Sequence, residues 1–440
     1  MKRIFTTLIC LLSGLSVQAQ EACSTGRYSS DVYSTVSTTS NITYGQNYSF
    51  NGSMTSLKLD FYEPQADTAT KRPLIIWIHG GSFIGGSKTD QDMVALSNRF
   101  AKKGFVCASL DYRLGFFPID SANAIKAVLR ATQDARAAVR FFYKNAQNGN
   151  SYKVDTNNIF IGGASAGAIT ALHFAYLDKT CELTETGYMT QTALDGFGGA
   201  EGYSGNPCYS SDVKGVINLC GALARYSWME SGDVPVVSLH GTNDGTVGYN
   251  RQIVNPGVPL MYLDGSRMLY EHATAIGLEN PFYTFKGAPH VPHAGTSASA
   301  LAYMDTTVNF VRDFLIDQMG CTDAPLQAMN ATQQTATLYT SPACTTNVVA
   351  PGCFTAGAEE LMAGEVSMFP NPAKDQVTIS ISEGQISGVQ VFDLNGRLMT
   401  SSNESGLSLN LDVSALHQGV YFIKIMAANN SNYSFRLVKD

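Results

Sequence analysis

A series of continuous apolar runs, each stopped by glycine or a polar motif, constrains the fold of this chain more than any other feature. Leu74-Ile75-Ile76-Trp77-Ile78 ends at His79-Gly80-Gly81, and Phe105-Val106-Cys107-Ala108-Ser109-Leu110 ends at Asp111-Tyr112-Arg113. Ile159-Phe160-Ile161 runs into Gly162-Gly163, and Val216 to Leu219 and Val236 to Leu239 complete the series. Strands that read as unbroken apolar runs are buried on both faces, the mark of a mainly parallel sheet. Helical patterns fill the intervals. The clearest spans Ala122 to Asn145, where Ile125, Val128, Leu129, Ala135, Ala138, Val139 and Phe142 recur near a 3.6-residue period. From about Leu57 to Phe314 this alternation predicts an α/β fold whose sheet is flanked by helices, with ligands bound beyond the carboxyl ends of the strands.

The chemistry-bearing motifs fall at those strand ends. Gly163-Ala164-Ser165-Ala166-Gly167 joins a strand to a helix. A nucleophilic serine must protrude from such a tight turn, and small neighbours let the backbone fold beneath it. The following helix aims its first N–H groups at developing negative charge. A plain glycine-rich helix start is the structural alternative. His79-Gly80-Gly81-Ser82-Phe83 reads as an oxyanion loop, with the N–H groups of Gly81, Ser82 and Ala166 as expected donors, though a simple tight turn has the same composition. Asp244, in the polar loop after the Val236 strand, is the expected acid, and a turn aspartate capping its own backbone is the alternative. Asp264 and Glu271 are distant reserves.

The base must follow the acid in this order of motifs. His290, shortly after Phe282-Tyr283-Thr284-Phe285, is the candidate, with His293 as rival or as a pocket residue. His173 lies two helical turns past the nucleophile, and His240 precedes the acid, so both are set aside. His290-x-x-His293 without a nearby carboxylate or cysteine is a weak metal signal, and no metal or cofactor is expected. Phe83, Tyr249 and Tyr262 are further expected substrate contacts, with residues 178–212 and 247–280 as candidate pocket walls.

The chain has 440 residues, enough for one large core plus a smaller one. Its net charge of −7 argues against nucleic acid or an anionic membrane surface as partner. Lys2 and Arg3, the apolar run Ile4 to Leu15 and Val17-Gln18-Ala19 make residues 1–19 an expected signal peptide. No later stretch is apolar and long enough for a membrane helix, so the mature chain is expected to be soluble and exported. In an oxidising compartment its cysteines can pair. Cys181 with Cys208 and Cys344 with Cys353 are the first pairs to test, while Cys107 and Cys220 sit in apolar runs as core thiols. The expected catalytic domain covers 20–318. Residues 319–365, rich in Thr, Ala, Ser and Pro, read as a linker. Residues 366–440 carry short alternating strands and an Asn395-Gly396 turn, the pattern of a small all-β sandwich.

Together, these motifs resemble the α/β-hydrolase superfamily, most of all its carboxylesterase and hormone-sensitive-lipase branches. His79-Gly80-Gly81 is similar to the oxyanion motif of that branch, with Ser82 in place of a third glycine and Pro289 where glycine often precedes the histidine. Asp111-Tyr112-Arg113-Leu114 resembles its strand-end signature, which implies a structural clamp, and Gln133-Asp134-Ala135 and Val154-Asp155 also fit. Phe369-Pro370-Asn371-Pro372-Ala373, Val391 to Gly396, Gly419 to Ile423 and Leu437-Val438-Lys439 resemble the type IX secretion sorting domain. That likeness implies the type IX secretion machinery as partner and a secreted or cell-surface location. A carbohydrate-binding β-sandwich is the alternative for the tail. The implied function is a serine carboxylic-ester hydrolase acting on a small or polymeric ester, with a serine peptidase of the same fold, or a polyester- or polysaccharide-ester-depolymerising esterase, as alternatives.

Overall fold

The computed structural model describes residue 23 and residues 25–439 apart from 186, 188, 323–325, 330–335, 342–343, 345–365, 382–384, 394–397 and 429–431. The expected signal peptide, Cys353 and the Asn395-Gly396 turn lie outside the described residues. The chain divides into a larger unit, Met1–Thr190 with Gly198–Val349, and a smaller one, Ala350–Asp440 with Gln191–Phe197.

The larger unit is built on an eight-stranded sheet. Its strands are β1 (Val36–Tyr48), β2 (Met54–Pro64), β3 (Arg72–Ile78), β4 (Val106–Leu110), β5 (Val154–Ala164), β6 (Gly215–Leu219), β7 (Val236–Gly241) and β8 (Phe282–Phe285). They lie side by side in the order β1-β2-β4-β3-β5-β6-β7-β8. The pairs from β4 onward are parallel, and β1 and β2 add an antiparallel edge. Every residue of β3, β4, β6 and β7 is buried, in keeping with their largely apolar sequences. Helices α1 (Gln91–Lys102), α2 (Ser121–Gln147), α3 (Ala166–Tyr176), α4 (Ser266–Ala275) and α5 (Ala298–Gln318) connect or follow the strands. The expected Ala122–Asn145 helix is α2, started by Asp120, whose carboxylate caps the N–H of Asn123 at 2.8 Å.

A buried ionic cluster clamps the strand-end loop after β4 to α2. Asp134 accepts from the Arg113 backbone N–H at 2.8 Å and from its guanidinium, also at 2.8 Å. The Ser204 hydroxyl donates to the same carboxylate at 2.5 Å, and Arg113 also reaches the Arg130 carbonyl at 3.1 Å. The charges are buried, but each is multiply hydrogen-bonded, which is the condition for tolerating them.

Two expectations change here. Cys181 bonds to Cys344 rather than to Cys208, and Cys23 bonds to Cys321. Sequence proximity favoured the near pairs, whereas the fold brings distant backbones to Cα separations of 5.6 and 5.8 Å. Cys107 and Cys220 are buried thiols, as expected. The first part of the expected linker also packs on the larger unit. Met329 pairs with β8 through its N–H to Phe282 O at 2.7 Å and its carbonyl to Thr284 N at 3.0 Å. Tyr339 donates to Asp264 at 2.7 Å. Anchors of this kind, together with Cys344, offset the chain entropy that a Thr- and Ala-rich segment otherwise keeps.

The smaller unit is a sandwich of two antiparallel sheets. One holds Val366–Phe369, Gln376–Ile381 and Ser408–Asp412, and the other Leu398–Ser402, Ile386–Phe392, Gly419–Ala427 and Asn432–Lys439. Alternate residues such as Val377, Ile379, Val391, Ile423 and Ile425 turn inward to one core.

Replacing Asp134 by Ala strands the Arg113 charge in the interior. The expected loss is about 3–5 kcal/mol of stability, read as a shift of the urea unfolding midpoint.

Candidate active site

The end of β5 and the start of α3 place Ser165 at a sharp turn. Its φ of 55° and ψ of −118° are a left-handed backbone conformation that non-glycine residues seldom adopt. The turn closes on the end of β3. A Cβ on Gly163 would lie 2.2 Å from the Ile78 carbonyl oxygen, and one on Gly167 only 1.9 Å from it. Both glycines are therefore steric necessities. The Ser165 N–H donates to Leu219 O at 2.9 Å, which ties the elbow to β6 as well.

The loop after β3 runs beside this elbow. A Cβ on Gly80 would sit 3.4 Å from the Ser165 Cβ. Gly81, Ser82 and Phe83 follow with φ of 104°, 56° and 61°, a left-handed run that turns the backbone back on itself. The Gly81 carbonyl accepts from Ile84 and Gly85, and the Phe83 carbonyl from Gly115, while the N–H groups of Gly81, Ser82 and Ala166 have no backbone partner among the described residues. His79 stabilises the loop's root. Its Nδ1–H donates to Gly80 O at 2.6 Å, its ring stacks on Tyr112 at 4.4 Å, and the Tyr112 hydroxyl donates to His79 O at 3.1 Å. Burial lowers the His79 pKa, so the ring is a neutral structural group.

The loops after β7 and β8 bring Asp244 and His290 to the same strand ends. His290 Nε2 lies 2.8 Å from Ser165 Oγ, and its Nδ1 lies 2.6 Å from Asp244 Oδ2. The carboxylate can only accept, so Nδ1 carries the proton and Nε2 accepts from the serine hydroxyl. Asp244 also accepts the N–H groups of Thr246 and Val247, each at 2.9 Å. Burial opposes its ionisation, but hydrogen bonds from His240 and His290 outweigh that and hold the carboxyl well below the usual range.

His240 was set aside at the sequence level, yet it is a second histidine on the acid. Its Nε2 lies 3.1 Å from Asp244 Oδ2 and 2.9 Å from Val247 O, and its Nδ1 lies 2.7 Å from Ser266 Oγ. The signal was available in the four-residue spacing from His240 to Asp244 across one tight strand-end loop. Cys220, His240 and Asp244 bring ligand-type atoms within 4.8 Å of one another. However, His240 Nε2 is committed to two acceptors, and burial, then the charge of Asp244, push the Cys220 thiol up to about 12. The group fits an orienting network for the acid better than a metal site.

A cavity of about 500 Å³ opens beside Ser165, lined by Ser82, Phe83 and Ala166 near the serine. Both candidate walls contribute: Glu182, Leu183 and Glu185 from the first, Val247, Arg251 and Met261 from the second. Tyr262 stands at the rim, 56% exposed. Tyr249 and His293 do not line it, contrary to expectation. Tyr249 is buried with its hydroxyl 2.7 Å from Thr284 Oγ1 and its ring stacked on Phe282. His293 is buried beneath the loop, its imidazole held down at about 4 by burial and then by His290. Asp264, a reserve for the acid, pairs instead with Arg251 at 2.7 Å.

The larger unit thus combines a mainly parallel sheet, a serine at a strand-to-helix turn, and Asp244 and His290 at later strand ends. The chain carries an α/β-hydrolase fold. Residues 59–200 match the family BD-FAE, and residues 367–440 match the secretion system C-terminal sorting domain. Among curated proteins, the chain is similar to gut esterase 1 of Caenorhabditis elegans, 34% identical over 113 residues, or 26% of this chain and 19% of that protein. Carboxylesterase 3B of Mus musculus is 36% identical over 115 residues, again 26% of this chain and 19% of the relative. The chain thus spans 19% of the length of these two relatives. Among solved structures, esterase 2 of Thermogutta terrifontis phosphorylated by paraoxon is 22% identical with a TM-score of 0.46, covering 65% of this chain and 96% of that one.

Glu182 in the cavity beside Ser165 is an acid with an unusual pKa. Burial first, and the charge of Asp178 after it, push its carboxyl from an ordinary 4.5 up to about 8, against N–H donation from Lys179 and Asp178. An acid raised on folding takes up a proton, so its contribution to stability is lost as pH rises from 4.5 to about 8. Glu182→Gln is expected to remove that slope. At alkaline pH the variant's Tm should gain roughly 2 °C or more on the parent compared with the difference in mild acid, measured by thermal scans across pH.

Proposed function

We propose that this chain is an exported carboxylic-ester hydrolase that works through an acyl-enzyme on Ser165. The observation that carries the reading is the continuous hydrogen-bonded line from Ser165 Oγ to His290 to Asp244, at 2.8 and 2.6 Å. His290 Nε2 takes the hydroxyl proton as Oγ attacks the ester carbonyl, and Asp244 orients the ring and stabilises the imidazolium. The oxyanion of the tetrahedral intermediate accepts from the N–H groups of Gly81, Ser82 and Ala166, donors preorganised by the left-handed loop and the helix start. The intermediate collapses, the ester C–O bond breaks, and the leaving alcohol takes the proton from His290. Water then attacks the acyl-enzyme, giving a proton to His290; the second tetrahedral intermediate collapses, the acyl C–Oγ bond breaks, and Ser165 Oγ takes that proton back as the carboxylic acid is released.

The similarity of residues 59–200 to BD-FAE and to esterases supports the ester as substrate, and the apolar cavity suits an apolar group on one side of it. The sorting-domain match at 367–440 supports export by the type IX machinery, with the enzyme secreted or at the cell surface.

Ser165→Ala should lower kcat on simple esters by at least about 10⁴-fold, and Asp244→Asn by about as much with KM little changed. A fluorophosphonate probe should modify the wild-type chain at Ser165 only. Activity retained in Ser165→Ala, or labelling elsewhere, would refute the assignment.

A further inference from the structure

His173 is a polar group in the cavity that neither the proposed reaction nor the fold consumes. It sits on α3 two turns beyond Ser165, is 5% exposed, and contributes to the cavity wall. Its Nδ1 lies 2.7 Å from the Ile169 carbonyl oxygen. A carbonyl only accepts, so Nδ1 carries the ring proton and Nε2 presents a lone pair. Nε2 has no hydrogen-bond partner among the described residues, and unlike the second nitrogens of His79 and His293 it is not sealed from the cavity. The ring is held edge-on against Trp228, centroids 5.6 Å apart at 88°, so the acceptor has one direction. Burial holds the imidazole down at about 4, which keeps the lone pair available at working pH.

The surroundings limit what such an acceptor can take. Ile169, Leu177, Leu183 and Trp228 line the same cavity. The charged residues of the wall are already engaged, Glu185 with Arg225 and Arg251 with Asp264, so an ammonium or a carboxylate would have to break an existing pair, and a carboxylate at Nε2 would meet a lone pair instead of a donor. An alkyl terminus would leave Nε2 dry and unpaired, which costs binding. A hydroxyl on an otherwise apolar group satisfies both the wall and the nitrogen.

We propose that His173 is a specificity residue whose Nε2 accepts a hydrogen bond from a hydroxyl on an otherwise apolar group of the ester substrate. This rests on Ser165 being the nucleophile, and it names a substrate class for that site: esters carrying a single hydroxyl remote from the scissile bond, on the acyl or the alcohol side.

The test compares kcat/KM for methyl alkanoates with their ω-hydroxy counterparts, and for alkyl acetates with the monoacetates of α,ω-diols, each as a ladder of chain length. In the wild-type enzyme the hydroxylated ester should be preferred by about tenfold or more at one matched length, because a site built around a hydrogen bond discriminates against the analogue lacking it. His173→Phe keeps an aromatic ring beside Trp228 and should collapse that ratio to about one. The wild-type ratio should also be flat with pH above the imidazole's value of about 4. No preference at any length in either series, or a preference that survives in His173→Phe, overturns the proposal. The wild-type ladders keep the proposal refutable even if the variant does not fold. Probe labelling of Ser165 separates the two readings: labelled enzyme without a hydroxyl preference sinks this inference alone, and unlabelled enzyme sinks both.

Discussion

Where the strand-to-helix turn crosses the end of β3, the Ile78 carbonyl oxygen leaves no room for a side chain on Gly163 or Gly167. Ile78 is also the residue from which His79-Gly80-Gly81 departs. One contact between two backbones therefore sets the position of the serine and of the loop carrying Gly81 and Ser82, relative to each other. The left-handed conformations at Ser165, Gly81, Ser82 and Phe83 are concentrated around this crossing. Local strain of this kind survives only where the surroundings over-determine it. Here they are a fully buried strand on one side and hydrogen bonds to β6 on the other.

The acid side of the site is held differently, by saturation of polar groups. Asp244 receives two histidines and two backbone N–H groups, and the second histidine is itself held by Ser266, which Asn218 bonds at 2.9 Å. The chain of contacts thus runs from α4 and β6 to the carboxylate before it reaches His290. Farther out, the Arg113–Asp134 cluster fixes the loop whose Tyr112 supports His79. Backbone crossing and polar network share β6, through Leu219 and Asn218, and both reach His290.

Much of this was legible in the sequence. Strands buried on both faces are largely apolar, so the apolar runs within β3 to β7 announce those strands, and the motif order puts Ser165, Asp244 and His290 at strand ends. The edge strand β1 was not legible, because its residues are mostly exposed and rich in Ser, Thr and Asn, which read as loop. His240 was passed over because motif order picks one histidine and says nothing of a second on the same carboxylate. Tyr249 and His293 were misplaced for a related reason. Nearness in sequence to the triad does not say whether a side chain turns to the cavity or to the core. The disulfides failed on the same ground, since cysteine spacing carries no information about which distant backbones the sheet brings together.

Those disulfides have a consequence for biogenesis. Cys23 and Cys321 are 298 residues apart, and Cys107, Cys181, Cys208 and Cys220 lie between them. A chain exported amino end first delivers Cys23 to the oxidising side long before its partner, among thiols with which it must not remain joined. Joining non-consecutive cysteines under these conditions calls for thiol exchange rather than first-come oxidation. Correct joining of the cysteines is then governed by thiol exchange as well as by the stability of the finished fold.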